Sequence, residues 1–282
     1  MTLKNLLCLD IGGSHISAAI VERSTSSFVN NAFAVGKVDS HATREAILQQ
    51  WKDVIAKVQQ QAKVPLDGIL VAMPGPFDYE NGISLMDGMH KYQSLLHVDI
   101  KAFFAETYKV SAEHIHFFND AEAFLLGEVY AHRLQTKVVV GLTLGTGLGS
   151  ALYKEQHVKD LNYGSAAFRM GIAEDYISTR GILSFVNRRQ ELALRGVKEL
   201  VERADLQPQC QEAFAYLGCA LQEFIQQYVL PLAPDVLVLG GNIAQSHALF
   251  LAALQQELPI QLIPASFDAQ NLFFGLTSTI NK

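Results

Sequence analysis

Leu9-Asp10-Ile11-Gly12-Gly13-Ser14-His15 joins two apolar runs, residues 5–11 and 16–22, across a pair of glycines. The pattern predicts a strand, a tight turn and a returning strand. A third apolar run, residues 28–35, follows the polar stretch 24–27. Residues 44–61 then carry Ile47, Leu48, Trp51, Val54, Ile55 and Val58 at steps of three and four, a spacing that only a helix gathers on one face. Residues 68–73 read as a buried strand stopped by Pro74-Gly75-Pro76, residues 102–108 as a helix and residues 115–118 as a short strand.

The second half opens in the same way. Residues 138–144 are a β-branched strand, Gly145-Thr146-Gly147-Leu148-Gly149 turns it, and residues 151–154 return. Phe214, Leu217, Gly218, Leu221, Phe224, Ile225 and Tyr228 make one helical stripe; a strand at 235–239 ends in Gly240-Gly241-Asn242, and a helix is expected over 244–258. Each half thus begins strand, glycine turn, strand, and later runs helix, apolar strand, glycine. That is an internal duplication and not a short solenoid repeat. The expected division is residues 1–118 and 119–282. Residues 156–210 carry the least pattern, with a helix expected after Ser178.

With 282 residues, 49% hydrophobic and 18% charged, the chain can bury the cores of two modest domains, which excludes general disorder. Lys and Arg total 22 against 28 Asp and Glu, a net charge of −6, and no basic run interrupts the sequence. A surface built to grip nucleic acid is therefore not expected. No apolar stretch reaches the roughly 20 residues of a membrane helix; the nearest, residues 228–243, is cut by Pro231, Pro234 and Asp235. Asp10 comes too early for a secretory apolar core. Cys8, Cys210 and Cys219 are odd in number and lack CxxC spacing, as expected of thiols in a reducing, cytoplasmic compartment.

Four segments carry candidate chemistry. Asp10 before two glycines allows a backbone turn to approach a polyphosphate, with the carboxylate holding magnesium through water; the same residues also make an ordinary hairpin. In the second turn Ser150 stands where the last glycine of GxGxxG would fall, and a strand follows where a dinucleotide fold needs a helix, so a Rossmann reading fails. Two such turns facing each other could clasp one triphosphate. Asp120, in Phe117-Phe118-Asn119-Asp120-Ala121-Glu122-Ala123, is either a helix N-cap or a general base. Gly240-Gly241-Asn242 is either a packing allowance or a shelf for an adenine ring.

Taken in order, DIGGS, the strand before PGP, NDAEAFLLGE, LTLGTGLGSAL, EDYIS and LVLGGNI resemble the ROK-family sugar kinases of the actin-like ATPase superfamily. The similarity runs over about residues 6–275 and is poorest between 155 and 171. It implies an α/β fold of two ribonuclease H-like lobes around a central cleft, and ATP-dependent phosphorylation of a hexose or amino sugar. By the same resemblance Asp120 is the catalytic base, Asn119 contacts sugar hydroxyls, Gly75 and Pro76 border the sugar, and Glu174 is an acidic sugar contact. Asp10, Gly12, Gly13 and Ser14 match the first phosphate loop, with Asp10 supporting magnesium. Thr143, Gly145, Thr146 and Gly147 match the second, and Gly240, Gly241 and Asn242 the adenosine shelf.

Three departures qualify this. His15 stands where the family usually shows Lys. The CxCGxxGC zinc segment is absent, so ATP and magnesium are expected but no structural zinc. The GExGH stretch before it is also missing, and residues 163–169 occupy that region. Fewer fixed polar partners imply relaxed sugar specificity, with Arg169 extending it to acidic or N-acylated sugars if it faces the cleft. His90 and His157 are expected at the surface. The alternative function is a catalytically degenerate sugar- or nucleotide-binding sensor or regulator; a homodimer is compatible with either.

Overall fold

The computed structural model describes residues 3–88, 91–190 and 192–280, the side chains of residues 189 and 190 excepted. It divides into two compact units: Met1–Tyr130 with Ala269–Lys282, and Ala131–Asp268.

In unit 1, β1 (Asn5–Ile11), β2 (His15–Glu22) and β3 (Ser27–Lys37) form an antiparallel meander. β4 (Gly68–Ala72) then pairs parallel with β1, and β5 (Phe77–Asp78) and β6 (Ile83–Ser84) form a separate two-stranded hairpin after it. β7 (Ile115–Phe118) pairs parallel with β4, giving the order β3-β2-β1-β4-β7. Between β3 and β4 runs α1 (Arg44–Ala62), started by the Thr43 side chain accepting from the Ala46 N–H; of the predicted stripe, Ile47, Trp51, Val54, Ile55 and Val58 are buried and Leu48 is half-buried. α2 (Ile100–Tyr108) precedes β7 and α3 (Asp120–Ala131) follows it.

The last helix, α8 (Gln270–Ser278), returns to this unit. A Cβ on Gly275 would lie 2.3 Å from the backbone nitrogen of Gly127, so α8 crosses α3 backbone to backbone at two glycines. Phe274 stacks on Phe28 of β3 at 5.1 Å and meets the Tyr130 ring at a tilt at 5.6 Å. These contacts tie α3 and α8 to the N-terminal sheet. The unit boundary therefore falls after α3 rather than after residue 118, and residues 269–282 lie apart from the rest of the expected second domain.

Unit 2 repeats the plan. β8 (Val139–Leu144), β9 (Leu148–Lys154) and β10 (His157–Asp160) are antiparallel neighbours, while β13 (Val236–Gly240) and β14 (Gln261–Pro264) add in parallel, in the order β10-β9-β8-β13-β14. The duplication expected from the sequence is thus a duplication of strand order and direction, two ribonuclease H-like units in an α/β chain. Between β10 and β13 lie a small hairpin, β11 (Ala167–Phe168) with β12 (Gly171–Ile172), then α4 (Thr179–Gln190), α5 (Val197–Glu202) and α6 (Gln207–Phe224). The stripe of α6 continues into a π-turn, Ile225–Val229, which keeps Ile225 and Val229 buried. The helix expected over 244–258 is broken. Ser246 leaves the helical region at φ −93°, ψ 24°, so a 3₁₀ run, Ile243–Leu249, precedes α7 (Leu251–Glu257). Among the described residues no helix is long and apolar enough to cross a membrane.

Candidate functional site

Three adjacent parallel strands of unit 1, β1, β4 and β7, end beside one another, and their C-terminal ends carry the sequence-predicted residues of this half. Asp10 is the penultimate residue of β1 and pairs in register with Ser17 and Ala72. The turn after it is closed by the Gly12 N–H donating to the His15 carbonyl at 2.8 Å, and Gly13, Ser14 and His15 are exposed. Ser14 Oγ and His15 Nδ1 lie 2.8 Å apart. Two residues not foreseen support this turn. Tyr92 is buried edge-on against Trp51 at 6.0 Å and donates its hydroxyl to the Gly12 carbonyl at 2.5 Å. The aliphatic part of Lys91 lies over Gly13, 3.9 Å from where a Cβ would stand.

At the end of β7 the sequence left Asp120 as either cap or base. The cap is Asn119. Its Oδ1 accepts from the Ala121 N–H at 2.8 Å, its carbonyl accepts from the Ala123 N–H at 2.9 Å, and Glu122 reaches back to accept from its own N–H at 3.2 Å. Asn119 Nδ2 also donates to the Tyr79 hydroxyl at 3.1 Å, which donates to the Met73 carbonyl at 3.2 Å. A Cβ on Gly75 would lie 3.2 Å from that hydroxyl, so the Gly75-Pro76 loop, joined by a cis peptide, belongs to the same cluster. Asp120 is the first residue of α3 and is exposed, with one carboxylate oxygen 2.9 Å from the Ala121 N–H.

The two carboxylates feel each other. Burial, and secondarily the charge of Asp120, push the Asp10 carboxyl from 3.8 up to about 6. The sign follows from linkage. A carboxyl whose folded pKa is raised binds its proton more tightly folded than unfolded, so stability is highest below pH 4 for this group and is lost as pH rises through 6. Asp10→Asn should therefore raise the unfolding free energy of the ligand-free protein at pH 8, read from urea denaturation, by an amount of order 3 kcal/mol at most, and the gain should vanish at pH 4. An equal gain at both pH values would dissociate it from ionisation of Asp10.

Unit 2 holds the second set. Thr143 pairs in register with Gly149 and with Gly240. Thr146 is exposed at the tip of the turn, whose Gly145 N–H donates to the Gly147 carbonyl at 3.1 Å. The Gly145 carbonyl accepts from the Thr179 N–H at 2.8 Å, which ties the turn to the start of α4. Glu174 sits against this turn: its Oε2 would be 2.8 Å from a Cβ on Gly147, and Arg180 approaches its Oε1 at 3.4 Å. After β13, Gly241 adopts φ +84°, and a Cβ there would meet the backbone oxygen of Leu144 at 2.4 Å. Asn242 and Ile243 line a cavity of about 640 Å³ with Thr179, Val197, Val201 and Gln245.

Arg169 is engaged within unit 2 by Glu223 at 2.7 Å and by aromatic rings, so the expected reach toward an acidic sugar lacks a free guanidinium. His157 is exposed, with Nδ1 2.7 Å from the Glu155 carbonyl, and His90 lies outside the described residues. Among the described residues no group of three or more His, Cys, Asp or Glu is placed to hold a metal ion. Cys8 and Cys210 are buried and Cys219 is exposed.

Comparison with known proteins adds the following. The sequence model of the ROK family matches residues 6–167. Glucokinase from Thermotoga maritima is 28% identical over 156 residues, 52% of this chain; the match spans 44% of that relative's length. A ROK family protein from Streptococcus pneumoniae, solved in complex with sucrose, superposes with a TM-score of 0.77 at 19% identity, covering 98% of both chains. A ROK family glucokinase from Streptomyces griseus, solved with glucose and AMPPNP, gives 0.69 at 18% identity over 97% of this chain and 98% of that one. At such identities the likeness is one of fold.

Proposed function

The chain belongs to the ROK family, and from that premise we propose that it is an ATP-dependent sugar kinase acting on a hexose or amino sugar. The observation that carries this reading is the division of labour at the end of β7. Asn119 caps α3, so the exposed Asp120 carboxylate next to it is not needed for that task. In this reading Asp120 takes the proton of the attacking sugar hydroxyl, and Asn119, Gly75, Pro76 and Glu174 contact the sugar. The glycine turns at Gly12, Gly13 and Ser14 and at Thr143, Gly145, Thr146 and Gly147 let phosphate oxygens approach the backbone, with donors other than the Gly12 and Gly145 N–H groups that close the turns. Gly240, Gly241 and Asn242 border the adenosine, beside a cavity in which Val197, Val201 and Ile243 offer apolar surface among polar residues such as Asn242, Thr179 and Gln245. Phosphoryl transfer asks mainly for positioning and charge stabilisation, which these groups supply.

A magnesium ion fits the first turn on one observation. Burial, and secondarily the charge of Asp120, raise the Asp10 carboxyl to about 6, and a divalent cation would favour its ionised form. Asp10 would hold the ion through water, and the ion would neutralise phosphate charge. The structural likeness to a glucokinase solved with AMPPNP supports ATP as the donor.

The deciding experiment is a coupled ADP-release assay over glucose, mannose, N-acetylmannosamine and fructose, with and without magnesium. We expect magnesium-dependent turnover on at least one sugar, with kcat/KM values for the accepted sugars lying within about 10⁴ of one another, because the Glu/His recognition stretch is missing. Nucleotide binding without turnover on any sugar would favour the sensor reading instead.

A further inference from the structure

The stretch between β10 and α4 is tightly organised. At the tip of the β11–β12 hairpin, Arg169 takes φ +53° and Met170 is 97% exposed. Of the two tip residues it is therefore the charged one that folds inward. Its Nε and Nη2 both donate to Glu223 Oε2 on α6, at 2.9 and 2.7 Å. Its guanidinium lies over Phe168, Tyr176 and Tyr216, at 5.1, 5.3 and 5.9 Å from the ring centroids. The Phe168 ring meets Tyr176 and Phe224 edge-on at 5.6 and 5.9 Å, and the Tyr228 hydroxyl donates to the Ala167 carbonyl. The Tyr176 hydroxyl in turn accepts from the Met170 N–H at 3.2 Å.

Tyr176 stands two residues after Glu174, on the far side of the single 3₁₀ turn Ala173–Asp175. That turn is fixed at both ends. The Asp175 carboxylate accepts from the Ile172 N–H at 3.1 Å and from Arg180 at 2.7 Å, and Ser178 Oγ donates to the Glu174 carbonyl at 2.6 Å. The Glu174 carboxylate is approached through Oε1 by Arg180 at 3.4 Å, and its Oε2 lies against Gly147 and Gly164. We propose that Arg169 is a positioning residue for Glu174: by locking the hairpin and Tyr176 onto α6, it fixes where the Glu174 carboxylate stands against the second glycine turn. The inference rests on the sugar-kinase reading for Glu174's contact with sugar, and on this geometry alone for the lock.

The test is a double-mutant cycle on the full-length protein. Arg169→Ala should raise the KM for the sugar about tenfold or more while the KM for ATP stays within about twofold. Arg169→Lys keeps the charge but not the planar fork and stacking surface, and should fall between the two. The decisive arm is Arg169→Ala made in a Glu174→Ala background, where it should change sugar KM no further, since residues acting through one another are not additive. A further tenfold rise there, or parallel rises in both KM values, would overturn the proposal. Hydrogen exchange separates this from failure of the kinase reading. Arg169→Ala should speed exchange at residues 166–178 and leave β8 and β9 unchanged, whether or not the wild-type chain turns over sugar. Unchanged protection at 166–178 would remove the lock.

Discussion

Replacing Asp120 with Asn should lower turnover by about 10²-fold or more while nucleotide affinity is retained. The amide matches the carboxylate in shape but cannot accept the hydroxyl proton. The helix start survives the change because its cap is Asn119, braced by Glu122 and Tyr79. The residues proposed to hold adenosine belong to unit 2, whereas Asp120 belongs to unit 1. Initial rates and a nucleotide titration on the same preparation check both halves. Near-normal turnover would take Asp120 out of the mechanism.

Gly241→Ala should cost roughly 3 kcal/mol or more of stability, read as a fall in the urea midpoint. The residue sits at φ +84°, where an L side chain is strained, and its Cβ would fall 2.4 Å from the Leu144 oxygen and 2.7 Å from the Leu144 nitrogen. Both obstacles are backbone, in strand β8, so no rotamer change relieves them. Gly145→Ala is the contrasting control. Nothing lies within 4 Å of its missing Cβ, so stability should change by less than about 1 kcal/mol. If the turn cradles phosphate, that added methyl should instead raise the KM for ATP. Equal destabilisation by the two substitutions would contradict the assignment of Gly241 to packing and Gly145 to ligand space.

What the sequence made legible follows from the range of the physics involved. The meander β1–β3, the stripe of α1 and the strand β7 rest on local periodicity, and the structure shows them within a few residues of the expected bounds. Asp10, Asn119 and Asp120 stand out as candidates because strand-end motifs are local too. β10 was not expected, since its exposed, alternately half-buried residues His157–Asp160 form a sheet edge without an apolar run. Tyr79 and Tyr92 were missed because their partners are 40 and 80 residues away, at Asn119 and Gly12. A lone tyrosine carries no signal of such a bond. Arg169 was read as a candidate ligand for the same reason: its partner Glu223 is 54 residues along the chain.

The glycine crossing of α3 and α8 has a consequence for how the molecule is made. Unit 1 is discontinuous in sequence, its last helix being encoded after the whole of unit 2, which is a single continuous stretch. A chain emerging from the ribosome therefore presents unit 2 complete while the N-terminal sheet still waits for Phe273, Phe274 and Gly275 to cover Phe28 and Gly127. The inserted unit can fold first, and the host unit closes last. Nascent chains halted before α8 would leave exposed the apolar residues of β3 and α3 that this one short helix covers.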